Sequence, residues 1–182
     1  MTFEIILGII LAGIISNNYA LLHFLGTGAV IENERPVGKS LLLGVGTTVV
    51  MLLTTLITWP LNTYLLAKAP YLQTMAFVIV VMCVVELIHL FSKNTLERFC
   101  KVDFVKFAIN GAILGLCIHN THLGYIEAIV TALGVGIGFT LTIALFTALH
   151  ERVDESAVPH AFRGLPISLL VAGMIVPALL AL

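Results

Sequence analysis

The sequence predicts an all-α membrane protein of six transmembrane helices, arranged as two inverted three-helix repeats with helices 1 and 4 broken. Three observations predict it. Apolar residues make up 59% of the chain and charged residues only 10%, whereas a soluble domain carries about 25% charged residues. Six apolar stretches, at residues 2–25, 40–66, 70–91, 104–118, 123–150 and 165–182, approach the roughly 20 residues that cross a hydrocarbon core. The tetrapeptide Leu-Gly-Val-Gly occurs at 43–46 and again at 133–136, each time in the second helix of a set of three. A chain of 182 residues suits one membrane domain, with repeat 1 at about 1–92 and repeat 2 at about 103–182.

Helix 1 begins behind Glu4, where a secretory signal would carry basic residues, so it reads as a retained helix. Its apolar run at 5–15 is interrupted by Ser16-Asn17-Asn18, resumes, and ends at Gly26-Thr27-Gly28. Helices 2 and 5 are long enough to tilt or protrude. Trp59-Pro60 and Tyr64, near the end of helix 2, read as interfacial anchors. Helix 3 carries Glu86 and His89 on one face. They read either as an ion or proton relay or as a pair reaching the nearby interface.

Helix 4 is short and contains Asn110-Gly111. Beyond it, Cys117, His119 and His122 form a C-x-H-x-x-H string with no fourth metal ligand or carboxylate close in sequence. Helix 5 ends at His150-Glu151-Arg152, which lacks the second His of a zincin motif. Glu151, Asp154 and Glu155 then read as a solvated loop, and Arg163-Gly164 opens helix 6. Cys83, Cys100 and Cys117 are odd in number with no C-x-x-C pair, so neither a disulfide framework nor a zinc site is indicated. Cys83, in helix 3, reads as a buried core cysteine. The net charge of −1 points to no nucleic-acid partner.

Charge placement predicts the orientation. Arg35, Lys39, Lys93, Arg98, Lys101, Lys106, Arg152 and Arg163 fall in the 1–2, 3–4 and 5–6 loops, and Lys68 alone falls on the other side. Basic residues favour the cytoplasmic side, so these three loops are expected there and both termini outside. Three crossings per half is an odd number, so the halves run in opposite senses. Inverted-repeat membrane proteins build their functional centre where helices break near the midplane. Here the breaks are Asn17, Asn18 and Asn110. These amides read either as that centre or as caps and interhelical glue.

Several stretches together resemble the membrane subunits shared by the Rnf electron-transport complex and the sodium-pumping NADH:quinone oxidoreductase, Nqr. They are NNYALLHFLG (17–26), YLQTMAFVIVVMCVVE (71–86), INGAILG (109–115) and VPHAFRGLPISLLVAGM (158–174). The resemblance is strongest to the A-type Rnf subunits and runs over most of the chain. It implies six helices in two inverted halves, in a bacterial or archaeal cell membrane. It also implies a homologous six-helix partner of the E type, and flavin and iron–sulfur subunits in the same complex. In the family, the two six-helix subunits each give two cysteines to a shared [2Fe–2S] cluster, which passes electrons across the membrane in step with Na⁺ or H⁺ movement. The ligand positions implied here are Gly28, two residues after Phe24-Leu25-Gly26, and Gly111, next to Asn110. Glycine has no side chain to ligate iron. The complex is then a cluster-free variant, a carrier of electrons by other groups, or an Rnf-like assembly with different work. Arg163 lies in the matching approach to helix 6 and is implied to position or contact a partner.

The function expected is a non-catalytic membrane subunit of an ion-translocating Rnf-like oxidoreductase. The alternative is a small inverted-repeat carrier or channel with no redox role. The charge asymmetry generates a direct prediction. Alkaline phosphatase fused after Leu182 is expected to be active and green fluorescent protein fused there dark, and the reverse pattern would overturn the orientation.

Overall fold

The computed structural model describes residues 3–16, 18, 37–66, 69–92, 110–153, 159 and 162–180. They form helices α1 (Phe3–Ile14), α2 (Val37–Tyr64), α3 (Gln73–Ser92), α4 (Gly111–His119), α5 (Tyr125–His150) and α6 (Leu165–Leu180). Short 3₁₀ turns stand before α3 (Pro70–Leu72) and after α4 (Asn120–His122). No strand occurs among the described residues. The stretches at Val37–Tyr64, Pro70–Ile88 and Tyr125–His150 are long and apolar enough to cross a membrane. At 1.5 Å rise per residue, the 12 residues of α1 reach about 18 Å and the 9 of α4 about 14 Å. Neither crosses a core about 30 Å thick.

The bundle is organised around α5. Ile10 meets Gly134, Ile14 meets Gly138 and Asn18 bonds to Thr142, a constant offset, so α1 runs parallel to α5. Gly44 faces Thr140, Gly136 faces Thr48 and Ser40 faces Thr147, so α2 runs antiparallel to it. Both contacts depend on missing side chains. A Cβ on Gly13 would lie 2.8 Å from the backbone of Gly134, and one on Gly138 would lie 2.8 Å from Ile14 Cα. Gly134 and Gly138 form a small-xxx-small pair, which lets helix backbones touch where lipid supplies no hydrophobic drive for association. Phe77, Val85, Ile113, Leu116, Phe139 and Ile143 fill the spaces between α2, α3, α4 and α5.

The ends of the bundle are tied by polar contacts. Glu151 Oε1 accepts from Val37 N–H at 3.2 Å, where the first turn of α2 lacks intrahelical partners. His150 Nε2 lies 2.7 Å from Ser168 Oγ, and that hydroxyl donates to Gly164 O. The His150–Ser168 contact joins α5 to α6. Gly164 has φ +77°, a left-handed turn that suits glycine immediately before α6. At the opposite end, Trp59 Nε1 donates to Leu123 O at 2.9 Å and its ring packs on Tyr125. Gln73 bonds to Asn62 across the α2–α3 connection.

The expected interruption of helix 1 is present: α1 ends at Ile14, with turn residues at 15–16. Two other expectations change. Cys83 is exposed on α3 rather than buried. That helix is apolar on every side, so composition does not say which side meets the core. The two Leu-Gly-Val-Gly copies are also not in equivalent settings. Leu43 is buried while Leu133 is exposed, and the buried pair Leu43-Gly44 matches Val135-Gly136.

Replacing Gly134 with Val forces a Cβ to within 2.9 Å of Ile10 Cα. The expected cost is about 1–3 kcal/mol, read as a lowered melting temperature in detergent. Gly8→Ala, with nothing near the added carbon, should leave that temperature unchanged or raise it.

Candidate functional site

The polar break of the first helix is a built site. After Ile14 the chain leaves the helix, and an α-helix that stops has unsatisfied carbonyls in its last turn. Asn18 returns to seal them. Its Nδ2 donates to Ile14 O at 3.0 Å and to Thr142 Oγ1, on α5, at 2.8 Å. Asn18 is 1% exposed, so water does not do this work. Thr142 accepts there because its own hydroxyl donates to Gly138 O at 2.8 Å. Gly138 also makes the room, since a Cβ there would stand 3.1 Å from Asn18 Nδ2.

Asn110 performs the complementary task at the other break. It is extended (φ −124°, ψ 154°), and its Oδ1 accepts from Ile113 N–H at 3.1 Å. This is an N-cap, which satisfies one of the donors exposed at the start of α4. Gly111 follows as the first, exposed residue of α4. Cys117 lies six residues on, or about 9 Å along the axis. It is buried, with its thiol on the hydroxyls of Thr58 and Thr54.

The other sequence candidates are dispersed. Glu86 is exposed on α3, and the side chain of His89 lies outside the described residues. Arg163 is exposed in the turn before α6. His119 and His122 are exposed while Cys117 points into the core, so the C-x-H-x-x-H string does not converge. Asn17 and Gly28 lie outside the described residues.

Residue-by-residue reading missed the buried hydroxyls of α2 and α5, of which Thr142 meets the first break. Ser40, Thr47, Thr54, Thr55 and Thr58 on α2 are buried, as are Thr131, Thr142 and Thr147 on α5. The signal was present: Ser40, Thr47 and Thr54 recur every seven residues, and so share a face. Thr48 and Thr140 hydroxyls meet at 3.2 Å between the two helices.

Comparison with known proteins places this geometry in a family. The family model described as Rnf-Nqr subunit, membrane protein, matches residues 6–182. The chain belongs to the Rnf-Nqr family. The A-type subunit of an ion-translocating oxidoreductase complex from Syntrophotalea carbinolica is 34% identical over 174 residues, 92% of this chain and 90% of that one. The A-type subunit of the Na(+)-translocating ferredoxin:NAD(+) oxidoreductase complex of Acetobacterium woodii is 34% identical over 179 residues, 94% of this chain and 93% of its own. Its counterpart in the ion-translocating oxidoreductase complex of Serratia proteamaculans is 31% identical over 168 residues, 88% of this chain and 87% of that one. The Rnf-Nqr match therefore embraces both breaks, α2 and α5.

Asn18→Leu removes both bonds and strips the end of α1, with an expected cost of about 1–3 kcal/mol. Thr142→Val removes only the interhelical bond, worth about 0.6 kcal/mol on average inside membranes. Unfolding in mixed micelles should rank the two in that order. Equal losses would mean that Ile14 O needs no seal.

Proposed function

We propose that the chain is a membrane subunit of an ion-translocating oxidoreductase complex of the Rnf type, standing as its A-type member with no catalytic group of its own. The observation that carries this reading is the pair of half-length helices sealed by Asn18 and Asn110, in a chain that matches A-type relatives over about nine-tenths of its length. The partners are a homologous six-helix subunit of the E type and flavin and iron–sulfur subunits. The orientation has both termini outside and the three basic loops cytoplasmic.

The halves, about 1–92 and 103–182, are read as inverted repeats. A shift of 92 residues carries Asn18 onto Asn110, Gly44 onto Gly136 and Thr48 onto Thr140. The crossed contacts of Gly44 with Thr140 and Gly136 with Thr48 are what a twofold relation between antiparallel α2 and α5 demands. This register supports the repeat better than the tetrapeptide, whose spacing is two residues shorter.

The residues do not fit the family's [2Fe–2S] cluster. The positions implied by resemblance are Gly28 and Gly111, and iron requires thiolates there. Cys117 is buried six residues beyond Gly111, about 9 Å along the axis from the start of α4. We therefore read this chain as one that shapes the membrane centre without ligating iron. Glu86 and Arg163, both exposed, and His89 are read as contacts to the interface or to partner subunits.

The test is anaerobic purification of the intact complex, followed by iron analysis and low-temperature EPR of its membrane core. Flavin-bearing partners with no iron in the core is the expected result. A [2Fe–2S] signal from the core would overturn the cluster-free reading, and absence of any redox partner would favour a carrier.

A further inference from the structure

Asn120 stands at the C-terminal end of α4 and is 2% exposed. Its Nδ2 donates to Thr55 Oγ1 at 3.3 Å and to Ala128 O at 3.4 Å. A carbonyl only accepts, so the nitrogen must face Ala128, and this fixes which way the amide points. Asn120 Oδ1 is then left as the one buried side-chain nitrogen or oxygen without a hydrogen-bond partner among the described residues. Such an orphan costs about 1–3 kcal/mol, more than a membrane core has reason to carry for packing alone.

Thr55 Oγ1 is engaged as the acceptor of Asn120 Nδ2, and the donors nearest in sequence are committed elsewhere. The Cys117 thiol is held by Thr58 and Thr54, and the Thr121 hydroxyl donates to Ile118 O at 2.7 Å. Asn120 N–H serves Ile118 O and Leu116 O. No donor on the described residues answers Oδ1, so the group that meets it is supplied from elsewhere and is electropositive. Position favours a cation, because the C-terminal end of a helix carries partial negative charge. Glu127, in the first turn of α5 one residue before Ala128, adds a formal negative charge to the same connection. No group of three His, Cys, Asp or Glu able to hold a metal gathers among the described residues, which removes the soft and borderline donors that transition metals select. Amide and backbone oxygens at the end of a half-helix are the ligands that membrane transporters offer to sodium.

We propose that Asn120 Oδ1 is a ligand of a sodium-sized monovalent cation bound at the C-terminal end of α4, with Thr55 and the Ala128 carbonyl holding the amide in that orientation. The site rests on the ion-translocating reading above and gives it a location in this chain. Asn120 is the ligand and Thr55 acts through it.

The purified complex is heated in NaCl or in equimolar choline chloride, over a range of concentrations. Wild type is expected to melt at a higher temperature in Na⁺. Asn120→Ala should need about tenfold more Na⁺ for the same increment, as loss of a charge-assisted contact predicts. Asn120→Asp keeps an oxygen at the site and should retain the increment, which separates ligation from packing. Thr55→Val should weaken the response less than Asn120→Ala. A wild type indifferent to Na⁺, or an increment that Asn120→Ala keeps unchanged, would overturn the site and leave a bound water as the partner of Oδ1. Flavin is assayed in the same preparation. Flavin present without a Na⁺ increment removes the site and leaves the complex reading, whereas a Na⁺ increment without redox partners keeps the site and removes that reading.

Discussion

A hydrocarbon interior offers no water to a backbone that leaves its helix, and the rest of this structure follows from that constraint. Each free N–H or C=O must find a partner within the protein. Asn18 answers for the carbonyl end of α1 and Asn110 for the amide end of α4. The answer at Asn18 has its own requirements. Its nitrogen reaches Thr142 because Gly138 leaves the space, and α1 lies close enough because Gly13 and Gly134 bring the two backbones into contact. The glycine motif and the polar break are therefore one device. A side chain added to the first would displace the partner of the second.

The same constraint disciplines the buried hydroxyls. Thr47 donates to Leu43 O, Thr54 to Val50 O, Thr58 to Thr54 O and Thr142 to Gly138 O, at 2.7–2.8 Å. Such bonds to the preceding turn let threonine enter a membrane helix without an unmet donor. They leave lone pairs, not protons, facing the interior. Where α2 and α5 cross, Thr48 and Thr140 each have a helix carbonyl within reach and also reach each other. The α2–α5 pair is thus held by shape, by this shared hydroxyl contact and by the bond from Thr147 to Ser40.

Much of this was legible in the sequence, and the reasons separate cleanly. Apolar run length identified α2, α3 and α5 with ends within a few residues, and His150-Glu151-Arg152 marked the end of α5 because charge cannot continue into lipid. Adjacent amides at Asn17-Asn18, and Asn110 before Gly111, marked the breaks for the same reason. Orientation about a helix axis was not legible. A helix apolar on all sides gives Cys83 no preferred direction, and only packing against α2 and α4 decides that it faces outward. The repeat register was also hidden, because four small and aliphatic letters recur easily in a glycine-rich chain. The informative pattern was Gly-x-x-x-Thr, at Gly44 and Thr48 and again at Gly136 and Thr140, since that spacing puts a gap and its filler on one face. Asn120 escaped notice because its partners, Thr55 and Ala128, lie on two other helices.

The committed hydroxyl protons bear on what such a chain can contribute. A proton relay needs groups that donate and accept in turn, and a threonine bound to its own helix must break that bond to pass a proton on. Along α2 that would release a hydroxyl from its helix carbonyl at each step, a repeated cost of about 0.5–1.5 kcal/mol. What the core does supply is position: the end of α1 held against α5 by glycine contacts and the Asn18 seal, and the start of α4 capped by Asn110. On the proposed reading, electrons and ions use groups brought to those ends by partners or solvent. The chain's own contribution is the polar and closely packed setting in which they meet.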